Sequence, residues 1–435
     1  MSETPSEMTA PETQTVTSPR QRRIAIALLL VGAVCAGMGQ TIVFSVLPPL
    51  AREIGLTNFQ VGLIFMVSAS AWVICGPRWG RLSDQRGRKL FILIGMFGFA
   101  FSTVLFGASV QLGLAGALSG LPLYLLMIAM RSLYGLIGSA SPPAAQAYIA
   151  DRTSKRDRTA GIASFSAAFG FGAMLGPGFG AATSLLGPTV PFYAVAAIAA
   201  AMTLAVYFFL PERTGPTKRK LPARIRLTDP RLVPFFAFAL AFGVINAIPI
   251  QTIAFYFIDR LGYSTAAATG YVSIGLTAGA VSSLGAQLIV VQRFRLPPAT
   301  LMRIAPGLMA LGQGLIFLSS DLWPVVIGMA LSGFGAGLAI PAATAAASLA
   351  VNADEQGGAI GLASSAGASG FIISPVLGFS LYEISPAAPF VFTAAGALAL
   401  LVYAWVSRKV GAAIPPQTED IPEEAVSDPA AAPYQ

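Results

Sequence analysis

The sequence predicts an all-α integral membrane protein, with twelve transmembrane helices in two pseudo-symmetric six-helix bundles. Three observations carry that expectation. Charged residues are 11% of the 435-residue chain, against roughly 25% in soluble domains, and mean hydropathy is +0.71. Several apolar runs exceed the ~20 residues needed to cross a bilayer core. The chain also repeats itself. Gly172, Gly176-Pro177 and Gly180 return, at an offset of 198, as Gly370, Ser374-Pro375 and Gly378. The same offset carries Pro143-Ala144-Ala145 onto Pro341-Ala342-Ala343 and Gly135 onto Gly333. One offset shared by two separate helices marks a duplicated half.

In chain order, residues 1–19 form a Ser-, Thr-, Pro- and Glu-rich tail, read as disordered and too polar for a secretory signal. The N-terminal bundle, 20–210, holds spans near Ile24–Leu47 (ending at Pro48-Pro49), Phe59–Trp79, Leu90–Leu112, Leu121–Ile149, Ala160–Leu186 and Val190–Leu210. A hydrophilic basic linker, 211–230, separates the bundles. The C-terminal bundle, 231–409, holds spans near Leu232–Phe257, Ala266–Val291, Leu301–Leu318, Trp323–Leu349, Gly358–Leu381 and Phe390–Val406. Residues 410–435 are acidic and proline-rich, and read as a second disordered tail.

Charge gives an orientation. Of 27 Lys and Arg, Arg52 and Arg260 fall in loops on one side and Arg131 falls inside a span. All the others lie on the opposite side, including Arg20, Arg22, Arg23, the Arg213–Arg226 stretch and Arg408-Lys409. Cytoplasmic loops carry the excess of Lys and Arg, so both termini and the linker are expected in the cytoplasm, in a multi-pass inner-membrane protein. The net charge of +8 is a topology signal rather than a nucleic-acid footprint, because the basic residues flank spans without interleaved aromatics. The chain has no histidine, which removes His-based metal sites and Ser-His or Cys-His catalysis. No enzyme activity, metal or cofactor is expected. Cys35 and Cys75 sit in apolar stretches and read as small buried residues.

Four stretches can carry chemistry. The loop Gly80-Arg-Leu-Ser-Asp84-Gln-Arg-Gly87-Arg88-Lys89 allows a tight turn between two helices, with Asp84 able to pair with Arg88 or face a helix N-terminus. Arg131 lies roughly 15 Å into span four at ~1.5 Å per residue, a costly depth that marks a group facing an aqueous cavity or one bonded to carbonyls of span one. The offset places Met329 at the corresponding position of the second half, so the duplication has diverged there. Gly172, Gly176 and Gly180 share a helix face suited to close packing, Pro177 bends that helix, and Gly275 and Gly279 of span eight offer a matching face through which the halves are expected to join. Finally, Gln40, Thr41, Tyr134, Asn246 and Gln251 place polar groups inside apolar spans.

These motifs, in this order, resemble the signatures of drug exporters of the major facilitator superfamily, the twelve-span drug:proton antiporter group. The resemblance runs from about Arg22 to Lys409. It implies the major facilitator fold, alternating access, and a substrate cavity between the halves lined by spans one, four, seven and ten. Gln40, Thr41, Arg131, Tyr134, Asn246 and Gln251 then take cavity positions. It also implies a cytoplasmic gate of Gly80, Asp84, Gly87, Arg88 and Asp151, with Asp84 facing the start of span eleven near Gly357-Gly358 and Arg88 bridging Asp84 to Asp151. Gly172, Gly176, Pro177, Gly180 and Pro375 form the helix-packing motif. Asp354 and Glu355 already stand at that helix start and would repel Asp84 unless they point away.

The function implied is efflux of small lipophilic molecules, coupled to protons, by a monomer whose partners are a small-molecule substrate and the lipid bilayer. No carboxylate falls inside any span, so Asp84 or Asp151 serves at the edge, or coupling is absent, or the substrate is an anion countered by Arg131. A facilitator or exporter of a small organic anion, and a receptor or scaffold on a transporter fold, stand as alternatives.

Overall fold

A computed structural model describes residues 19–153, 158–211, 226, 228–294, 296–352 and 355–411. The two tails, most of the linker and Asp354 lie outside the described residues. The N-terminal half comprises α1 (Pro19–Glu53), α2 (Asn58–Arg86), α3 (Arg88–Leu114), α4 (Gly120–Ile137), α5 (Ser141–Asp151), α6 (Arg158–Ser184) and α7 (Val190–Phe209). The C-terminal half comprises α8 (Val233–Asp259), α9 (Thr265–Gly285), α10 (Pro298–Leu318), α11 (Leu322–Leu349), α12 (Gln356–Ile384), α13 (Ala388–Val406) and the short α14 (Arg408–Gly411). Among the described residues, 11 spans are long and apolar enough to cross a membrane. The Gly172–Gly180 helix α6 adds 27 residues of similar length. Helices suit a bilayer because each satisfies its own backbone where no water can.

Three spans differ from their expected form. Span one does not stop at Pro48-Pro49; α1 runs through both prolines to Glu53. A proline removes one backbone donor and strains one turn, but Leu47, Leu50 and Ala51 are buried here in a hydrophobic core cluster, and packing holds the helix together. Span four is broken. A 3-10 turn, Gly138–Ala140, separates α4 from α5, because Pro142 and Pro143 cannot donate to the preceding turn. Span eight ends in π-helical winding over Ala286–Phe294 rather than regular α-helix.

Several helix pairs are in backbone contact within each half, and one of them recurs in both. In α6, a Cβ at Gly172 would overlap the Val34 carbonyl and one at Gly176 would meet Thr41 and Met38, all in α1. In α1, a Cβ at Gly37 would overlap the Phe169 carbonyl of α6. The C-terminal half repeats this, Gly243 of α8 lying against Gly367 of α12 and Gly370 against Gly243. Close approach through small residues is how helices bind where lipid is as apolar as a side chain. The glycine faces therefore pack inside the halves rather than between them. Gly275 and Gly279 likewise meet Met329 of α11, in their own half. Between halves, α2 lies on α12 and α6 on α9; Gly62 of α2 admits the Phe379 ring, with Pro375 behind it.

Gly37→Val should drive its side chain into the α6 backbone and destabilise the protein by about 1–3 kcal/mol, the usual cost of overpacking. A lowered Tm and reduced monodisperse yield in detergent should report it. Gly76→Val, at a position where an added Cβ meets nothing within 4 Å, should leave both near wild type.

Candidate functional site

Both chain halves begin on one face, called here the Arg88 face; α1 and α8 end on the other, the Arg52 face. At the Arg52 face polar groups tie the halves together. Arg52 of α1 reaches Asp259 of α8, Nη2 to Oδ2 at 2.6 Å, and its guanidinium lies 5.2 Å from the Phe255 ring centre. Asn58 accepts from Arg52 Nε at 2.9 Å and fixes the side chain, while the Tyr382 hydroxyl donates to the same Asp259 oxygen at 2.9 Å. Thr265 donates to Glu53 across the halves at 2.9 Å. Deeper in, the Phe44 and Phe371 rings meet with centres 6.2 Å apart.

Among the described residues, the ion pairs of Arg88 and Arg231 at the Arg88 face each stay within one half. Gly87, at φ 100°, makes the left-handed break between α2 and α3 that a side chain would strain. Across that break Arg88 pairs with Asp84, and its Nε reaches Asp151 at 3.3 Å. Arg88 also donates to Ser83 at 2.8 Å, and Ser83 donates to the Gly80 carbonyl at 2.7 Å. The expected Arg88 bridge is present in this geometry. Asp84, however, does not face the start of α12; its side chain is 52% exposed. That helix start is served by Glu355, which accepts from Arg231 at 3.1 Å and from the Asn352 backbone. Arg231 is shared with Asp229. The Arg231 hydrogen bonds, followed by the Asn352 N–H, hold the Glu355 carboxyl below its ordinary range. An ionised carboxylate there already complements the helix N-terminus.

The polar residues of the spans divide. Arg131 is 3% exposed and packs over the rings of Tyr134, at 4.6 Å, and Phe106, at 6.0 Å. Tyr134 is buried against Trp72 and Phe99. Ser68 donates to the Arg131 carbonyl at 3.1 Å, while Arg131 Nε is buried without a hydrogen-bond partner. Among the described residues no carboxylate pairs with it. Arg131 is thus held by aromatic faces, neither open to a wide aqueous space nor bonded to span-one carbonyls. Thr41 donates to the Ala173 carbonyl of α6 at 3.0 Å, and Gln251 donates to Ser374 of α12 at 3.0 Å. Both serve as ties between helices in this conformation, and Gln251 is 1% exposed. Cys35 is buried and Cys75 only half-buried, both free.

Gln40 and Asn246 behave differently. Gly37 and Gly243 make the same close approach to equivalent carbonyls, so the residues three positions on, Gln40 and Asn246, occupy equivalent places in the two halves. Gln40 Oε1 is buried without a partner. Asn246 lines a cavity of about 240 Å³ between α8, α11 and α12. Arg52 is the functional candidate that sequence reading missed. Its signal was its place outside the one-sided basic pattern.

The sequence model of the Major Facilitator Superfamily matches residues 29–304 and 290–431. The chain belongs to the Major Facilitator Superfamily. It is a multi-pass membrane transporter of small molecules and not an enzyme. Multidrug resistance protein 1 of Bacillus subtilis is 27% identical over 86% of this chain and 93% of that protein. The class D tetracycline resistance protein of Salmonella ordonez is 30% identical over 77% of this chain and 82% of its own. Among solved structures, a bacterial homolog of the human lysosomal transporter Spinster, inward-facing and unoccupied, superposes with a TM-score of 0.68. That match covers 92% of this chain and all of the other, at 15% identity, and shows the shared fold.

Removing the Arg52–Asp259 pair should loosen the Arg52 face of this superfamily member. Exposed and half-exposed pairs contribute about 0.2–1 kcal/mol, so Asp259→Asn should shift the population toward an open Arg52 face by up to about fivefold. Thiol labelling of Gln251→Cys, from the Arg52 side in a Cys35- and Cys75-free chain, should quicken accordingly. The charge exchange Arg52→Asp with Asp259→Arg should restore slow labelling.

Proposed function

We propose that this chain exports small lipophilic molecules by alternating access, coupled to protons, as a drug-type efflux transporter. The observation that carries this reading is where the halves touch. Arg52–Asp259 and Phe44–Phe371 join them at one face, whereas the Arg88 and Arg231 ion pairs at the other stay within a half. A pair of rigid bundles closed at one end has a natural second state closed at the other. The names of the relatives, multidrug and tetracycline resistance proteins, supply the class of cargo.

The Arg88 face is placed in the cytoplasm of the inner membrane, with both termini, because the basic residues crowd it. Gln40 and Asn246 meet the substrate; Arg131 with Tyr134 sets the field of the cavity; Thr41 and Gln251 hold its walls in register. Gly80, Asp84, Gly87, Arg88 and Asp151 form the cytoplasmic gate, with Asp84 turning to the α12 start when that side closes. Gly172, Gly176, Pro177, Gly180 and Pro375 keep each bundle rigid as it rocks. The proton is carried at the membrane edge, by Asp84 or Asp151, and the transporter works as a monomer in the lipid bilayer. An organic-anion cargo is the second reading, favoured by the buried guanidinium of Arg131 without a carboxylate partner.

Inside-out vesicles with an imposed pH gradient separate these readings. Neutral lipophilic dyes should accumulate with release of protons from the lumen, and permanent cations such as ethidium should accumulate poorly. Arg131→Met should abolish any anion uptake and admit cations. Strong cation accumulation that persists in Arg131→Met would overturn the role given to Arg131, and dye uptake without proton movement would overturn coupling.

A further inference from the structure

The duplicated halves have not kept the same interior. In the N-terminal half, a cavity of about 30 Å³ is bounded by Ala36, Ala145, Phe165 and Phe169 and extends to Trp72, Met96, Phe99 and Tyr134 of α2, α3 and α4. In the C-terminal half the counterparts of those first four residues, Phe242, Ala343, Ala363 and Gly367, bound a cavity of about 240 Å³ between α8, α11 and α12. The repeat offset places Ala363 where the first half has Phe165, and Gly367 where it has Phe169. Aromatic bulk has thus left these two positions of the helix that carries the glycine motif, while Phe371 stands where the first half has Ala173. It has moved to α8, where Phe238 and Phe242 stand in place of Gly32 and Ala36 with their rings 6.0 Å apart and 17° from parallel.

We infer that the C-terminal half alone carries a binding subsite for uncharged two-ring aromatic compounds bearing a carboxamide-like group, with Asn246 as its hydrogen-bonding residue and Phe238, Phe242 and Phe371 as its walls. This rests on the transport reading above and names the substrate class and the half that selects it. Size comes first. An apolar protein cavity of about 150 Å³ takes one benzene, so 240 Å³ suits two fused rings. Charge comes second. No titratable side chain lines the space, and an ion buried there would lose hydration with no countercharge. Hydrogen bonding comes third. Asn246 makes no hydrogen bond to another described residue, and its amide offers both donor and acceptor. Thr344 at the rim already donates to the Pro341 carbonyl at 2.9 Å, which leaves its oxygen to accept.

The cavity also sits where a transported molecule must pass. Phe371 lines it and meets Phe44 of the other half, so an occupant lies directly on the Arg88 side of the contact that closes the protein. A bound ring against Phe371 therefore couples occupancy to that contact.

Equilibrium dialysis of radiolabelled 2-naphthamide against the purified full-length chain in lipid nanodiscs tests the subsite. Its competitors are 2-naphthoate and trimethyl(2-naphthyl)ammonium, which keep the rings and change only the charge. Wild type should bind the amide and discriminate against both ions by at least about tenfold. Asn246→Leu, which keeps volume and removes the hydrogen bonds, should weaken the amide by about tenfold, a typical worth for buried hydrogen bonds. Asn246→Gln should retain most of the affinity, and Asn246→Asp should bring the quaternary ammonium in. Ala363→Phe, restoring the bulk of Phe165, should remove binding. No binding of the amide by wild type, equal binding of the ions, or wild-type affinity in Asn246→Leu would overturn the subsite. The vesicle uptake of neutral dyes is scored separately: if it persists while the subsite fails, the transport reading stands and the site lies elsewhere.

Discussion

The fold depends on the contact of one helix backbone with another, α1 on α6 and α8 on α12. Gly37 against the Phe169 carbonyl and Gly243 against Gly367 leave no room for a side chain. In a bilayer, burying apolar surface against a neighbour gains little over burying it in lipid, so dispersion and close fit decide which helices pair. Each half thereby becomes a stiff body, further tied by Thr41 to Ala173 in one case and by Gln251 to Ser374 in the other. Stiff bodies resist continuous deformation, which suits the proposed rocking.

Between the bodies the contacts are fewer and of another kind. Arg52 with Asp259, Glu53 with Thr265 and the Phe44–Phe371 pair act at one end. The carboxylate of Asp84 is held by Arg88, and that of Glu355 by Arg231, each inside its own half. The same charges could serve a contact at that end only after re-pairing. The contacts within the halves are thus of backbone on backbone, and those named between them are of side chain on side chain, the division that the proposed alternating access draws on.

Much of this was legible in the sequence. Hydropathy gave the spans, the repeat at one offset gave the two halves, and Gly80 to Lys89 gave the turn and its Arg88 bridge. Direction was not legible. Gly172 and Gly176 have a small face in the sequence, but whether it meets α1 or the other half depends on three-dimensional packing, and it meets α1. Arg131 reads as a charge at mid-membrane, and Tyr134 is visible three residues along the same helix, but the Phe106 ring that joins it comes from α3 and is set by packing. Pro48 and Pro49 read as a stop, and burial of their neighbours overrides them. Arg52 reads as an ordinary loop residue, since its partner Asp259 lies in the other half. Resemblance places Asn246 at a cavity, but the shape of that cavity, walled by Phe238, Phe242 and Phe371, is set by packing.

The central claim is that two rigid halves exchange a closed end for an open one, and paired distances test it most directly. Spin labels at Ala117 and Ser320 report separation at the Arg52 face; labels at Gln85 and Asn352 report it at the Arg88 face. All four positions are exposed. When a transported compound is added to the reconstituted protein, the two distance distributions should shift in opposite senses, one lengthening as the other shortens. Distances that stay fixed at both faces, or that lengthen together, would contradict the account.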